Sequence, residues 1–218
     1  MAVLQSTVSR VKPGRYEDVL SLSLEAVKIH ERLGVPVPRI TTATVAGEAS
    51  GLCVFSTEHD DVDAYGRFAE ATAADPELQT LVTRAQAADA PSVVEQTSLA
   101  FEVPLDRTPK PGRGSLIEIH VSRSTPGQLE ETIAISRRLC DFVEGHGAKN
   151  ARLFQIAYGG MGSGLYMASW EFDDVGGWVR LSKTWQTEPE GLAIAASSTG
   201  PTPHSTLVFS GLYTEIPL

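Results

Sequence analysis

The 218 residues carry a net charge of −9, with 42% hydrophobic and 21% charged residues, a composition that can bury a core and leaves little room for extended disorder. The acidic balance and the lack of any Lys/Arg cluster exclude nucleic acid as a partner. No apolar run reaches the roughly 18 to 20 residues of a membrane helix, and no charged segment followed by an apolar one opens the chain, so a cytoplasmic protein with no membrane partner is expected.

Thr7 to Val11 alternates polar and apolar residues and stops at Lys12-Pro13-Gly14, which predicts a strand closed by a turn. From Tyr16 to Leu33, Val19, Leu20, Leu22, Ala26, Val27 and Ile29 share one helical stripe. Glu17 and Asp18 suit the positive end of that helix, and Gly34 suits its stop. Arg39 to Val45 is rich in β-branched residues, Gly47 to Gly51 turns the chain, and Leu52 to Glu58 runs back as the second arm of a hairpin. Asp60 or Asp61 can cap a helix through Tyr65 and Phe68. Asp75-Pro76-Glu77 interrupts it before a second piece, Leu78 to Ala87, and Val93 to Val103 reads as a strand.

Pro104 to Arg113 reads as a linker, after which the pattern starts again. Strands are predicted at Leu116 to Arg123, Arg152 to Tyr158, Leu165 to Phe172 and Thr206 to Ile216. Helices are predicted at Gln128 to Glu144 and Val175 to Trp185, with Pro189 marking the same break as Pro76. Ser163-Gly164-Leu165 through Asp173-Asp174-Val175 repeats Ser50-Gly51-Leu52 through Asp60-Asp61-Val62, Gly164 standing 113 positions after Gly51. The same offset links Pro13-Gly14 to Pro126-Gly127, Arg39 to Arg152, Glu58 to Glu171 and Arg67 to Arg180 without an insertion. About a quarter of the aligned positions are identical, so the chain is an internal duplication. Its modules are residues 1–105 and 114–218, joined by 106–113.

Strand, helix, strand, strand, helix, strand is the ferredoxin-like order, so the fold class is α+β with two tandem βαββαβ modules. Each such sheet has helices on one side only, and two of them in one chain can hide their bare faces against each other as a barrel. With this order, and with Pro-Gly between the opening strand and helix of each half, the chain resembles the dimeric α/β-barrel superfamily. That superfamily includes antibiotic-biosynthesis monooxygenases, haem-degrading monooxygenases and NIPSNAP-like proteins. The resemblance implies a pseudo-dimer within one polypeptide, and leaves association of whole chains into a homo-oligomer open.

Residues that differ between the copies are candidates for a specialised site. All three tryptophans, Trp170, Trp178 and Trp185, lie in the second module with Phe154 and Tyr166, where the first has Thr57, Tyr65, Thr72, Thr41 and Cys53. This predicts an aromatic-lined pocket for a small hydrophobic or aromatic molecule between the second sheet and its helices; the same rings could equally fill a larger core. His120 replaces Thr7 on the opening strand and is the candidate proton acceptor. Haem-degrading relatives pair a first-strand asparagine, a third-strand tryptophan and a second-helix histidine. Trp170 matches the second of these, whereas His120 stands near the first and Val175 to Trp185 contains no histidine.

The resemblance therefore implies cofactor-independent monooxygenation begun by proton abstraction, a step shared with isomerisation and cyclisation. A non-catalytic ligand-binding or assembly protein is the alternative, and haem degradation ranks below both. No cofactor or metal is expected: His30, His59, His146 and His204 have no ligand spacing with one another or with Cys53 and Cys140, which read as buried thiols. Gly159 to Gly164 joins two strands and lacks the helix N-terminus of a phosphate loop, so it reads as a mobile turn.

Overall fold

The computed structural model describes residues 1–199 and 201–217. The first module runs β1 (Val3–Val11), α1 (Tyr16–Leu33), β2 (Arg39–Val45), β3 (Leu52–His59), α2 (Val62–Ala74), α3 (Pro76–Gln86) and β4 (Ser92–Glu102). The second runs β5 (Leu116–Ser124), α4 (Leu129–Gly145), β6 (Lys149–Tyr158), β7 (Tyr166–Phe172), α5 (Val175–Trp185), α6 (Pro189–Thr199) and β8 (Ser205–Glu215). Local chemistry sets the helix ends. Gly34 closes α1 in the left-handed region at φ 64°. Asp61, Asp75 and Asp174 accept the backbone N–H of Ala64, Leu78 and Gly177 at 2.7, 2.8 and 2.8 Å, fixing the starts of α2, α3 and α5. β1 begins at Val3 rather than Thr7, because Gln5 and Ser6 place polar groups on both faces and conceal the two-residue period.

The strands close into one ring in the order β1-β3-β2-β8-β5-β7-β6-β4. β2 pairs β8 and β4 pairs β6, both antiparallel, so each module's edge strands are covered by the other module. Val8, Val54, Ile117, Ile119 and Tyr213 fill one part of the ring, and Leu4, Ala100, Phe154 and Ile156 another. The helices lie outside. A bulge puts Glu95 of β4 as an extra residue opposite the Val8–Ser9 step and Val208 of β8 opposite the Val121–Ser122 step, the same place in each copy.

The duplicated charges explain the join. Arg39 of the first module pairs with Glu171 at 2.8 Å and Glu215 at 2.6 Å of the second. Arg152 of the second pairs with Glu58 at 2.5 Å and, more loosely, Glu102 at 3.7 Å of the first. Each arginine thus reaches the other module's copies of one carboxylate pair, as a twofold axis demands. The linker is docked as well. Leu105 is buried in the second module's core, and the Arg107 guanidinium donates to the Ala151 carbonyl at 2.7 Å and to Asp141 at 2.8 Å.

Candidate functional site

Between the first sheet and its helices lies a cavity of about 450 Å³. This is within the roughly 300–1,000 Å³ of small-molecule pockets. Alternation along the strands sends Gln5, Thr7 and Ser9 of β1 and Cys53, Phe55 and Thr57 of β3 to its floor, while Val8 and Val54 point into the barrel. The walls come from Leu22, Ala26 and His30 of α1, Tyr65, Phe68 and Ala69 of α2 and Leu78, Leu81 and Val82 of α3. No Asp, Glu, Lys or Arg lines it.

His30 sits on the apolar stripe of α1 and is 3% exposed. Its Nδ1 lies 2.6 Å from the Ala26 carbonyl one turn earlier. A carbonyl only accepts, so Nδ1 carries the proton and Nε2 keeps a lone pair. Burial lowers the pKa of the ring, with the Ala26 hydrogen bond opposing, so His30 is neutral at neutral pH. On the other side of Phe68 lies His59, the ring centroids being 5.7 Å and 4.6 Å from that of Phe68. His59 is also held neutral, by burial, against the opposing charges of Glu58 and Asp60. Its Nε2 lies 3.1 Å from Thr57 Oγ1, and its buried Nδ1 has no partner among the described residues. Gln5 Oε1 is likewise buried and unpartnered. Cys53 is driven up to about 11 by burial and stays a neutral thiol.

The place of Thr57 is filled in the second module. Trp170 stands where Thr57 stands in the first, is 2% exposed, and donates its indole N–H to Glu118 at 3.1 Å. Leu181 and Tyr166 pack with it in a core that Trp178 and Trp185 border. Trp170 and Tyr166 are therefore core, whereas Trp178 is half-buried and lines, with Glu118, an open cleft of about 860 Å³ that Arg10, Glu48 and Glu95 also border; the cavity with an uncharged lining lies in the first module. Introducing the Trp170 ring into the first copy tests this relation. Thr57→Trp is expected to abolish ligand binding with no loss of melting temperature, its indole N–H meeting the unpartnered Gln5 Oε1 as Trp170 meets Glu118; calorimetric titration and a thermal melt check both.

His120 and Trp170 do share one face of the sheet, with ring centroids 4.8 Å apart. Glu118 joins them, accepting from Trp170 on one oxygen and lying 3.0 Å from His120 Nε2 with the other. Tyr166, Trp178 and Trp185 lie on the same helix side of the sheet, Trp185 meeting Phe142 edge-on at 5.3 Å. Phe154 does not join them. It is 1% exposed inside the barrel with Ala100, Ile156 and Leu165, because alternation along β6 gives the helix side to Leu153. Gly160–Gly162 forms a single 3-10 turn between β6 and β7. The signal for the first-module site was also a difference between the copies: His30 occupies an apolar stripe where the second copy has Val143, and His59 stands where it has Phe172.

Among the described residues no three His, Cys, Asp or Glu side chains gather to hold a metal, and no helix is long and apolar enough to cross a membrane. Haem suits neither half. The first cavity has no cation to hold its carboxylates, and the cleft bordered by Trp178 in the second has no histidine or cysteine in its lining to ligate its iron.

No family model and no curated protein sequence matches the chain. Solved structures do match its fold. A candidate monooxygenase from Fusobacterium nucleatum aligns with a TM-score of 0.62 at 9% identity, over 99% of this chain and 93% of its own. An anthrone oxidase-like protein aligns at 0.58 and 12% identity, over 99% and 91%. A chlorite dismutase variant from Candidatus Nitrospira defluvii aligns at 0.57 and 9% identity, over 99% and 91%. The chain thus has the dimeric α/β-barrel fold of tandem ferredoxin-like modules, as its duplication implied.

Proposed function

We propose that the first module's cavity binds a small, uncharged, hydrophobic or aromatic molecule and that His30 takes a proton from it, starting a cofactor-independent oxygenation. The observation that carries this reading is a single neutral imidazole, its Nδ1–H engaged by Ala26, lining a cavity without a charged side chain. An unprotonated nitrogen is what a general base needs, and the Ala26 carbonyl stabilises the imidazolium that forms. The charge-free lining disfavours substrates bearing carboxylate or phosphate, whose burial unpaired costs several kcal/mol or more.

The chemistry needs no prosthetic group when the substrate holds a methylene made acidic by a neighbouring aryl ketone. His30 removes one proton, and the resulting carbanion, delocalised into the carbonyl, passes an electron to dioxygen. The radical pair then forms the C–O bond of a peroxide. Loss of water from the peroxide leaves a second carbonyl, so that a methylene and O₂ become a ketone and H₂O. The candidate monooxygenase and the anthrone oxidase-like protein support this reading through fold alone, and fold is a weak guide to reaction type.

Anthrone, a neutral tricyclic ketone with such a methylene, is the test substrate. Oxygen uptake matched one to one by quinone formation supports the proposal; binding without uptake makes the protein a ligand binder; neither binding nor uptake removes the reading. His120→Ala is expected to keep turnover within about twofold, because His120 lies in the second module beside Glu118 rather than in the cavity.

A further inference from the structure

The floor of the cavity holds polar groups that the protein leaves incomplete. Thr57 is buried, and its Oγ1 has one partner among the described residues, His59 Nε2 at 3.1 Å. The protonation of that histidine decides what Thr57 can do. His59 Nδ1 is buried without a partner, and a buried N–H with no acceptor is rarer and costlier than a buried lone pair with no donor. The proton therefore sits on Nε2 and is donated to Thr57 Oγ1. Thr57 then accepts from His59, and its own O–H has no acceptor among the described residues. Directly across the β1–β3 pairing stands Gln5, whose Oε1 is the neighbouring buried and unsatisfied atom. An unsatisfied hydroxyl donor on the floor of a cavity is a group that the acceptor of a ligand completes.

Resting on the reading that this cavity is the reaction site, we propose that the Thr57 hydroxyl donates to the carbonyl oxygen of the substrate. It thereby stabilises the oxyanion that develops as His30 removes the proton, and His59 holds Thr57 in that role. Thr57 is thus a catalytic residue and His59 a positioning residue. No bond forms or breaks at Thr57: the hydrogen bond strengthens as negative charge moves from carbon to oxygen. His59 is suited to the task because it stays neutral. Its ring packs against both Tyr65 at 5.3 Å and Phe68 at 4.6 Å, which hold the direction of its Nε2–H. The second module lacks all three parts, with Trp170, Phe172 and Val143 at the places of Thr57, His59 and His30.

The test uses 9-fluorenone, a neutral aromatic ketone with no acidic methylene, whose carbonyl stretch reports a hydrogen bond directly. In the unaltered protein the band is expected to move to lower wavenumber than in an apolar solvent. Thr57→Val should bind fluorenone with the shift lost, Thr57→Ser should retain it, and His59→Phe, which installs the ring of Phe172, should bind with a weaker, broadened shift. His30→Val should leave the shift intact. With anthrone, Thr57→Val is expected to lower kcat by about 10²-fold to 10³-fold with KM changed by less than about threefold, and His59→Phe to lower kcat by about tenfold. A shift that survives in Thr57→Val, or a lost shift with unchanged kcat, overturns the role of Thr57 alone. Failure of the unaltered protein to bind fluorenone overturns the cavity reading together with this inference.

Discussion

His30→Val is expected to lower kcat/KM for anthrone by about 10²-fold to 10⁴-fold, the usual share of a general base, while fluorenone binding stays within about threefold. Valine is the residue that the second copy carries at this place, Val143, which is fully buried in a packed core. The variant thus removes the imidazole without introducing a side chain foreign to the fold. The Ala26 carbonyl loses the ring donor and keeps its place in α1. In the unaltered protein kcat/KM should rise along a limb whose midpoint lies below the ordinary imidazole value of 6.5, and be flat through neutrality. The same depression sets a stability dependence. Below 6.5 the unfolded chain takes up a proton that the folded chain resists, so stability falls with pH between 6.5 and the folded value. That component should vanish in His30→Val. Turnover that survives the substitution would remove His30 as the base.

Arg39→Met is expected to destabilise the fold by about 3–5 kcal/mol, the cost of leaving one partner of a buried ion pair behind. The Arg39 and Glu171 side chains are only 18% and 5% exposed. Glu171 also accepts from the Gly114 backbone at 2.7 Å and from Asn150 at 2.8 Å, so its charge is held at the join of the modules from three directions. Burial alone would raise its pKa, but Arg39, Gly114 and Asn150 together hold it below the ordinary 4.5. A depressed carboxylate contributes stability above the unfolded value and loses it as pH falls through the folded one. Removing Arg39 should therefore shift acid unfolding to higher pH.

The duplication provides the control. Arg152→Met breaks the equivalent link, but Glu58 and Glu102 are 46% and 26% exposed, so water takes over much of their solvation. Its expected cost is about 1–2 kcal/mol. Chemical denaturation with a pH series on both variants checks the ranking; equal costs would show that burial does not govern this join. Asn150 is one source of the asymmetry, since the first copy has Val37 at its place.

Much of the architecture was legible in the residues. The offset of 113 that ties Gly51 to Gly164 and Arg39 to Arg152 implied two like modules, and glycine, proline and aspartate at the helix ends placed α1, α2, α3 and α5. These features are local or repeated, so they survive being read in one dimension. The barrel followed because two sheets with one bare face each have few other ways to hide it. The start of β1, with polar groups on both faces, and the docked linker were not visible, since each depends on neighbours distant in sequence.

The site divides along the same line. Comparison of the copies drew attention to positions where duplicates differ, among them Trp170 against Thr57, and pointed to the second module. His30 against Val143 and His59 against Phe172 were open to the same comparison. Sequence by itself determined the duplication and the element order. Only the tertiary structure revealed the uncharged cavity of the first module. A cavity is a deficit of volume summed over side chains from three strands and three helices, and no single residue records it. Three tryptophans announced where atoms are, whereas Thr57 and Ala69 left the space in which His30, Thr57 and Gln5 can meet a ligand.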